Sequence, residues 1–264
     1  MVQPWLRTIV LASALCVAYL IGVIINWSNA ADRSLYANLG MIPIGLTATI
    51  LTLRASRSQA NPRSRWAWSL VGAGLLCFFA GDVLFFVYDN ILGGSPFPSL
   101  ADAGYLAYYP LAFAGLMCFP SLPVNRRRSA MLRLVCFVLV LGGAMGVLFF
   151  FLLPTLQSSR DDLFAYALSV GYPVGDLFLL AGIARVLMRR LSGLWSSAVV
   201  LAAGLIVGLA ADVVYGYQSV SGAFQSGGLP DAMYMVSWTL FAWAGFAEQA
   251  WGRVGHRAKG GSHD

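Results

Sequence analysis

Groups suited to cofactor and metal chemistry are nearly missing from this chain. It has one lysine, Lys259, and two histidines, His256 and His263, all close to the C-terminal end. Without a lysine in an apolar stretch there is no Schiff base for retinal. Without histidines there, bis-histidine haem and histidine-ligated zinc or copper have no ligands. The four cysteines, Cys16, Cys77, Cys118 and Cys136, stand singly on different apolar segments. They show neither metal spacing nor a disulfide framework and read as small buried hydrophobes. No glycine-rich phosphate loop occurs in a strand–turn–helix context, and nucleic-acid motifs are absent. No nucleophile–base pair emerges, so neither an enzyme nor a cofactor is expected. Charge is scarce as well, at 11% of residues, against about 25% in a soluble domain.

What is present is apolar. Hydrophobic residues make up 59% of the 264, aromatics 13%, and the mean hydropathy is +0.73. This excludes a soluble globular enzyme and a disordered chain. Crossing a hydrocarbon core about 30 Å thick takes about 20 apolar residues in a helix. Eight stretches qualify: 4–25, 35–53, 66–88, 100–118, 130–153, 163–188, 194–218 and 231–251. Alternating apolar/polar strands are absent, which argues against a membrane barrel. The expectation is an all-α polytopic membrane protein. Its first stretch, with Arg7 ahead and Ser28-Asn29-Ala30 behind, also looks like a secretory signal, but is expected to stay as an uncleaved helix.

Arginine placement orients these spans. Arg54, Arg57, Arg63 and Arg65 follow the second, Arg126, Arg127, Arg128 and Arg133 the fourth, Arg185, Arg189 and Arg190 the sixth, and Arg253, Arg257 and Lys259 the eighth. The alternate connections hold only Arg33 and Arg160. The positive-inside rule then puts both termini in the cytoplasm of a cell whose plasma (inner) membrane the chain spans many times. The net charge of +6 is accounted for by this topology and by anionic membrane lipids, with no need for nucleic acid. Trp5, Trp27, Trp66, Trp68 and Trp195 fall near span ends, as interfacial anchors do.

The chain also resembles itself. Shifted by 130 residues, Tyr36-Ala37 falls on Tyr166-Ala167, Pro43-Ile44-Gly45 on Pro173-Val174-Gly175, Gly74 on Gly204, and Ala80-Gly81-Asp82-Val83 on Ala210-Ala211-Asp212-Val213. With one residue fewer, Asp102-Ala103-Gly104-Tyr105 falls on Asp231-Ala232-Met233-Tyr234. Asp, Tyr and Pro are rare in spans, so their coincidence at one offset is not chance. A parallel tandem repeat of four plus four helices follows: 1–122, then 123–252, with a basic tail at 253–264. The expected pseudo-two-fold axis lies along the membrane normal, and ligand sites in such folds lie between the halves.

The intramembrane acids mark the candidate site. An acid at mid-membrane costs about 2.5–3.5 kcal/mol on insertion scales, so it is placed there for a reason. Counted from the arginine side, Asp82 lies 16 residues beyond Trp66 and Asp212 17 beyond Trp195, which puts both in the outer third. Asp176 is near the centre of the sixth span and has Leu46 as its counterpart. Asp102, Tyr105 and Tyr109 share a helix face, as do Asp231, Tyr234 and Trp238; Tyr172 precedes Asp176 by four, and Tyr215 follows Asp212 by three. Together these ten acids and tyrosines (Asp82, Asp102, Tyr105, Tyr109, Tyr172, Asp176, Asp212, Tyr215, Asp231 and Tyr234) would line a pocket open to the outer side. A structural role stands beside this one. Ser99 and Asp102 fit a capping box, Pro230-Asp231 fits a first helical turn, Asp82 and Asp212 would each cap a facing turn, and Asp176 would bond a Tyr or Ser.

The run Gly81-Asp82, Tyr88, Pro96-Phe97-Pro98-Ser99-Leu100-Ala101-Asp102-Ala103-Gly104-Tyr105-Leu106 and Tyr109-Pro110-Leu111 resembles the membrane input region ahead of prokaryotic GGDEF diguanylate cyclases and some membrane histidine kinases. Gly171-Tyr172-Pro173-Val174-Gly175-Asp176-Leu177 and Ala211-Asp212 are similar to its later part. The resemblance implies sensing. No GGDEF or kinase sequence occurs in these residues, which suits a stand-alone input module, a piece of a longer chain or a relative put to another use. The leading expectation is a membrane-embedded sensory module for a small-molecule or ion ligand, signalling to a cytoplasmic partner. A small-solute or proton-coupled transporter, or a structural subunit of a membrane complex, are the alternatives. Reporters placed in 89–99 and in 219–230 are expected to respond on the outer side of the membrane. A cytoplasmic response from either overturns the duplicated topology.

Overall fold

The computed structural model describes residues 4–93, 98–120, 130, 163–188 and 197–260. Within them the chain forms seven α-helices and no strand: α1 (Pro4–Ile25), α2 (Ala30–Arg57), α3 (Pro62–Phe86), α4 (Leu100–Cys118), α5 (Leu163–Met188), α6 (Ser197–Val220) and α7 (Leu229–Gly260). A π-helical turn, Val87–Ile91, extends α3. The fifth predicted span, 130–153, lies outside the described residues except for Ala130.

Four segments are long and apolar enough to cross a membrane: Ala30–Arg57, Pro62–Ile91, Val170–Leu187 and Ser197–Ser219. The chain thus has the character of a helical membrane protein. α1, α4 and α7 are not among the four. Several helices outrun their apolar stretches for local reasons. Asn29 caps α2, its side chain accepting from Ala31 and Asp32 N–H, so that helix starts before Leu35. Asn61 caps α3 and Pro62 occupies its first turn. Hydropathy measures apolar length, whereas caps decide where a helix begins.

Each of α2 to α7 packs against the next, and α7 packs back on α2, closing a cycle of six helices; α1 lies outside it against α2 and α7. Trp68, Leu75, Leu116, Leu179, Ile183, Leu201, Met235 and Trp238 fill the core. Trp68 corrects an expectation. It is 1% exposed and meets the Phe119 ring edge-on at 5.5 Å, whereas Trp66 is 63% exposed. Two positions apart on a helix, the two rings point to opposite sides, so only one can face outward.

Arg54, Arg57, Arg63, Arg65 and Arg185 share one end of the bundle, where α2, α4 and α5 finish and α3 begins. At the other end Arg33 is buried. Its guanidinium donates to the Ser226 and Trp27 carbonyls and to Gln225 Oε1, at 2.9–3.1 Å, and stacks over Trp27. It ties the α6–α7 connection to the start of α2. Gly227 there has φ +81°, and a Cβ would fall 2.5 Å from Arg33 Cγ, so both backbone and space require glycine.

Small residues let the helices approach. A Cβ on Gly104 of α4 would lie 2.7 Å from the Cys77 carbonyl and 2.9 Å from Gly81 N on α3, both rigid backbone. Gly104→Val is therefore expected to destabilise the protein by about 1–3 kcal/mol through overpacking. Gly171→Ala, whose new atom would meet only a Leu106 methyl at 3.4 Å, is expected to be tolerated. Thermal unfolding of the purified protein in detergent measures both.

Candidate functional site

The ten acids and tyrosines singled out from sequence come together in the interior, from α3 to α7. On α3, Asp82 accepts hydrogen bonds from the Tyr105 hydroxyl of α4 and from the Trp238 indole N–H of α7, each at 3.1 Å. On α6, Asp212 accepts from the Tyr234 hydroxyl of α7 at 2.6 Å. Asp82 and Asp212 thus take a side-chain hydroxyl from the facing helix and do not cap a facing turn, as the structural alternative had it. The Phe78 ring stands between the two groups, 4.9 Å from Tyr105, 5.2 Å from Tyr108, 6.3 Å from Tyr234 and 5.5 Å from Trp238.

Asp102 and Asp231 do two things each. Asp102 completes the capping box of α4, accepting from Ser99 N–H at 2.7 Å, and its other oxygen accepts from the Tyr172 hydroxyl of α5. Asp231 accepts from Gly227 N–H at the start of α7 and lies within electrostatic reach of Asp82 and Asp89. A cap needs one oxygen, which leaves the other free to join the interior. Tyr215 lies within reach of Asp102, Asp231 and Asp212, and its ring meets Phe224 edge-on at 4.7 Å.

Asp176 is different. It sits in the middle of α5, away from any free helix-terminal N–H. Its carboxyl lies beside that of Asp212 and beside Tyr109 of α4, and Oδ1 is buried without a hydrogen-bond partner. The groups that reach these acids are other acids, tyrosines, the Trp238 indole and the Gly227 N–H; among the described residues none is an arginine. A cavity of about 20 Å³ adjoins the site, with Asp212, Tyr234, Ser237 and Trp238 in a wall otherwise lined mainly by Leu and aromatic side chains.

Two glycines admit the aromatic donors. A Cβ on Gly45 of α2 would lie 3.5 Å from the Trp238 ring, and one on Gly175 of α5 would lie 2.5 Å from the Tyr109 ring. A side chain at Gly175 would push the Tyr109 ring away from Asp176, whereas at Gly45 the tight neighbour is the Phe79 ring at 3.0 Å.

Sequence reasoning left several polar groups out of the site. Trp238 was placed on the acid-bearing face but not counted as a donor, although its indole N–H is the only one it has to give. Tyr19 of α1 was not singled out; it is buried and lies within reach of Asp231 and Asp82. A second polar group surrounds the π-helical turn. Asp89 Oδ2 accepts from Ser34 Oγ at 2.7 Å and Asn38 Nδ2 at 2.8 Å, and Asn38 also donates to Asn90 Oδ1 at 2.7 Å. The available signal was the spacing of Ser34 and Asn38, four apart on one face of α2.

Among the described residues no group of three or more His, Cys, Asp or Glu is arranged to hold a metal ion. Cys16, Cys77 and Cys118 are free; Cys136 lies outside the described residues. The chain matches no protein-family model, no curated protein and no solved structure.

The two acid–tyrosine pairs differ in redundancy. Tyr105→Phe leaves Asp82 with the Trp238 indole and is expected to cost about 0.5–1.5 kcal/mol. Tyr234→Phe leaves Asp212 with only the Asp176 carboxyl beside it and is expected to cost about 1–3 kcal/mol. Unfolding of the two variants under identical detergent conditions checks that order.

Proposed function

We propose that this protein is a membrane-embedded sensory module that binds a small ligand in its acid- and tyrosine-lined interior and signals to a cytoplasmic partner. The observation that carries this reading is the interior itself: five carboxyl groups, from α3 to α7, whose partners are hydroxyls, an indole and two helix-start N–H groups, with no arginine among the described residues to neutralise them. Such a lining favours a cationic or polyhydroxy guest. It is costly as plain architecture, since a well-packed apolar core is often as stable as buried polar groups or more so.

The proposed frame is eight spans in a plasma (inner) membrane, built as two parallel four-helix repeats with both termini cytoplasmic. Several correspondences support it. Tyr105 bonds Asp82 as Tyr234 bonds Asp212. α2 packs on α7 as α5 packs on α4, which exchanges partners between halves. Gly45 faces Trp238 as Gly175 faces Tyr109. Arginines gathered at one end fit a cytoplasmic face. The resemblance to the input regions of diguanylate cyclases and histidine kinases points to the same role.

Transmission would run along α7. It carries Asp231, Tyr234 and Trp238 near one end and Gln249 near the other, where Gln249 Nε2 donates to the Leu51 carbonyl of α2 at 2.9 Å. Beyond that contact α7 continues towards the basic tail. A ligand that favours one packing of the halves shifts that contact through its differential affinity for the two packings.

The buried, unpartnered oxygen of Asp176 favours one second reading, a proton-coupled or small-solute transporter. Uptake into proteoliposomes that is abolished by Asp176→Asn would replace the sensory reading with that one. The sensory reading itself is checked by a thermal-shift screen of cationic and polyhydroxy compounds on the wild type and on Asp82→Asn/Asp212→Asn. A compound is expected to raise the wild-type Tm saturably and to need at least about tenfold more in the double variant, about 1.4 kcal/mol of binding. If nothing shifts the wild type and the double variant is only less stable, the acids are architectural.

A further inference from the structure

We propose that Asp176 and Asp212, with the hydroxyls of Tyr109 and Tyr234, form a binding site for one monovalent metal cation of about the size of Na⁺. This names the ligand class for the interior proposed above and rests on that reading.

The inference starts from the orphan acceptor. Oδ1 of Asp176 is buried and has no hydrogen-bond partner. Buried polar atoms in native proteins are nearly always satisfied, and an exception points to an absent partner. Every element facing Asp176 supplies acid or hydroxyl: α4 brings Tyr108 and Tyr109, α6 brings Asp212, and α7 brings Tyr234. Tyr234 is already committed to Asp212. Tyr109 reaches the same carboxyl, yet Oδ1 itself meets no donor among the described residues, and what suits such an oxygen-only cluster beside a second carboxyl is a hard cation.

Capping does not explain Asp176. Asp102 and Asp231 each satisfy a backbone N–H at the start of their helices, but Asp176 lies mid-helix, where those groups are already bonded.

Size and charge narrow the guest. The cavity that Asp212 and Tyr234 line, though not Asp176 or Tyr109, is about 20 Å³ and exceeds only slightly the roughly 10–15 Å³ that one water needs. Its wall is mainly Leu, Phe and other aromatic side chains, which leaves no room or partners for a polyamine or a sugar. A divalent ion needs about six to eight oxygens, commonly with several carboxylates. Here two carboxyls stand without a third, and no larger acid group is arranged for a metal. Two carboxyls and two hydroxyls suit a single positive charge.

The test uses the full chain in nanodiscs of neutral lipid. NaCl is titrated against choline chloride at constant ionic strength and fixed pH, and Tm and tryptophan emission are followed, Trp238 being close to the site. A saturable, Na⁺-specific response is expected. Asp176→Asn should raise the half-saturating Na⁺ concentration tenfold or more, Tyr109→Phe should raise it severalfold while keeping both carboxyls, and Asp32→Asn, on the surface, should leave it unchanged. Tyr109→Phe keeps the test decisive if Asp176→Asn does not fold. Equal responses to Na⁺ and choline overturn the proposal, as does an Asp176→Asn response matching the wild type. If lowering the pH in Na⁺-free buffer reproduces the stabilisation and Na⁺ adds nothing, the pair holds a proton and the proposal also fails. An organic ligand that stabilises the wild type through Asp82 and Asp212 while Na⁺ does not would sink the cation site and leave the sensory reading standing.

Discussion

The organisation of this molecule depends on keeping carboxyl groups inside a helical bundle where, among the described residues, no arginine partners them. A buried carboxylate left unpaired is far more costly than any single packing contact, so each acid needs donors delivered at hydrogen-bond distance. Helix interiors have none to give, because their backbone N–H groups are already bonded. Away from the helix starts, where Ser99 and Gly227 give backbone N–H groups to Asp102 and Asp231, the donors must be side chains from neighbouring helices, and here they are tyrosine hydroxyls and one indole. That requirement links α3 to α4, α6 to α7, and α4 to α5. Trp238 adds a bond between α7 and α3, which is not a pair of sequence neighbours. The order of the helices around the cycle and the chemistry of the interior are thus the same fact seen twice.

The glycines serve this requirement. Where α3 and α4 meet at Gly81 and Gly104, the backbones approach closely enough for Tyr105 to reach Asp82. Where Gly45 and Gly175 leave hollows, the rings of Trp238 and Tyr109 settle into them and present their polar ends to the acids. In a lipid solvent there is no large hydrophobic gain from bringing helices together, so close packing and interhelical hydrogen bonds carry association. A side chain at any of these glycines acts on packing and on the acids together.

The two ends of the bundle differ in kind. One gathers Arg54, Arg57, Arg63, Arg65 and Arg185. The other holds a single buried arginine, a π-helical turn and a network of Ser34, Asn38, Asp89 and Asn90 just above the acidic interior. π-Helical turns frequently sit at functional sites, because the irregular ladder redirects side chains. Here Val87–Ile91 brings Asp89 and Asn90 both towards α2. At the polar end Arg33 holds the α6–α7 connection, and α7 runs from this end to the other. A ligand-binding reading draws on that asymmetry: recognition at the polar end, and a continuous helix leading to the basic one.

Much of this was legible in the residues. The apolar stretches for α1, α4 and α5 coincide with the helices, since hydropathy reports segments that avoid water, and Ser99-Leu100-Ala101-Asp102 announced its capping box because capping is local. The acids and tyrosines could be put on shared helix faces by their spacing of three, four and seven. Four segments of the described chain are apolar and long enough to cross a membrane; the orientation and the duplication stay proposals. Other features were beyond reach. That Trp68 turns inward and Trp66 outward, that Trp238 rather than a tyrosine completes Asp82, and that Arg33 is buried in a connection all depend on which helix lies alongside. Composition and periodicity by themselves determined that this is a helical, apolar chain and which polar side chains share a helix face, because those follow from local geometry and transfer free energy. Tertiary structure alone decided which acid meets which donor and that one oxygen of Asp176 meets none, because such pairings exist only once distant helices have packed.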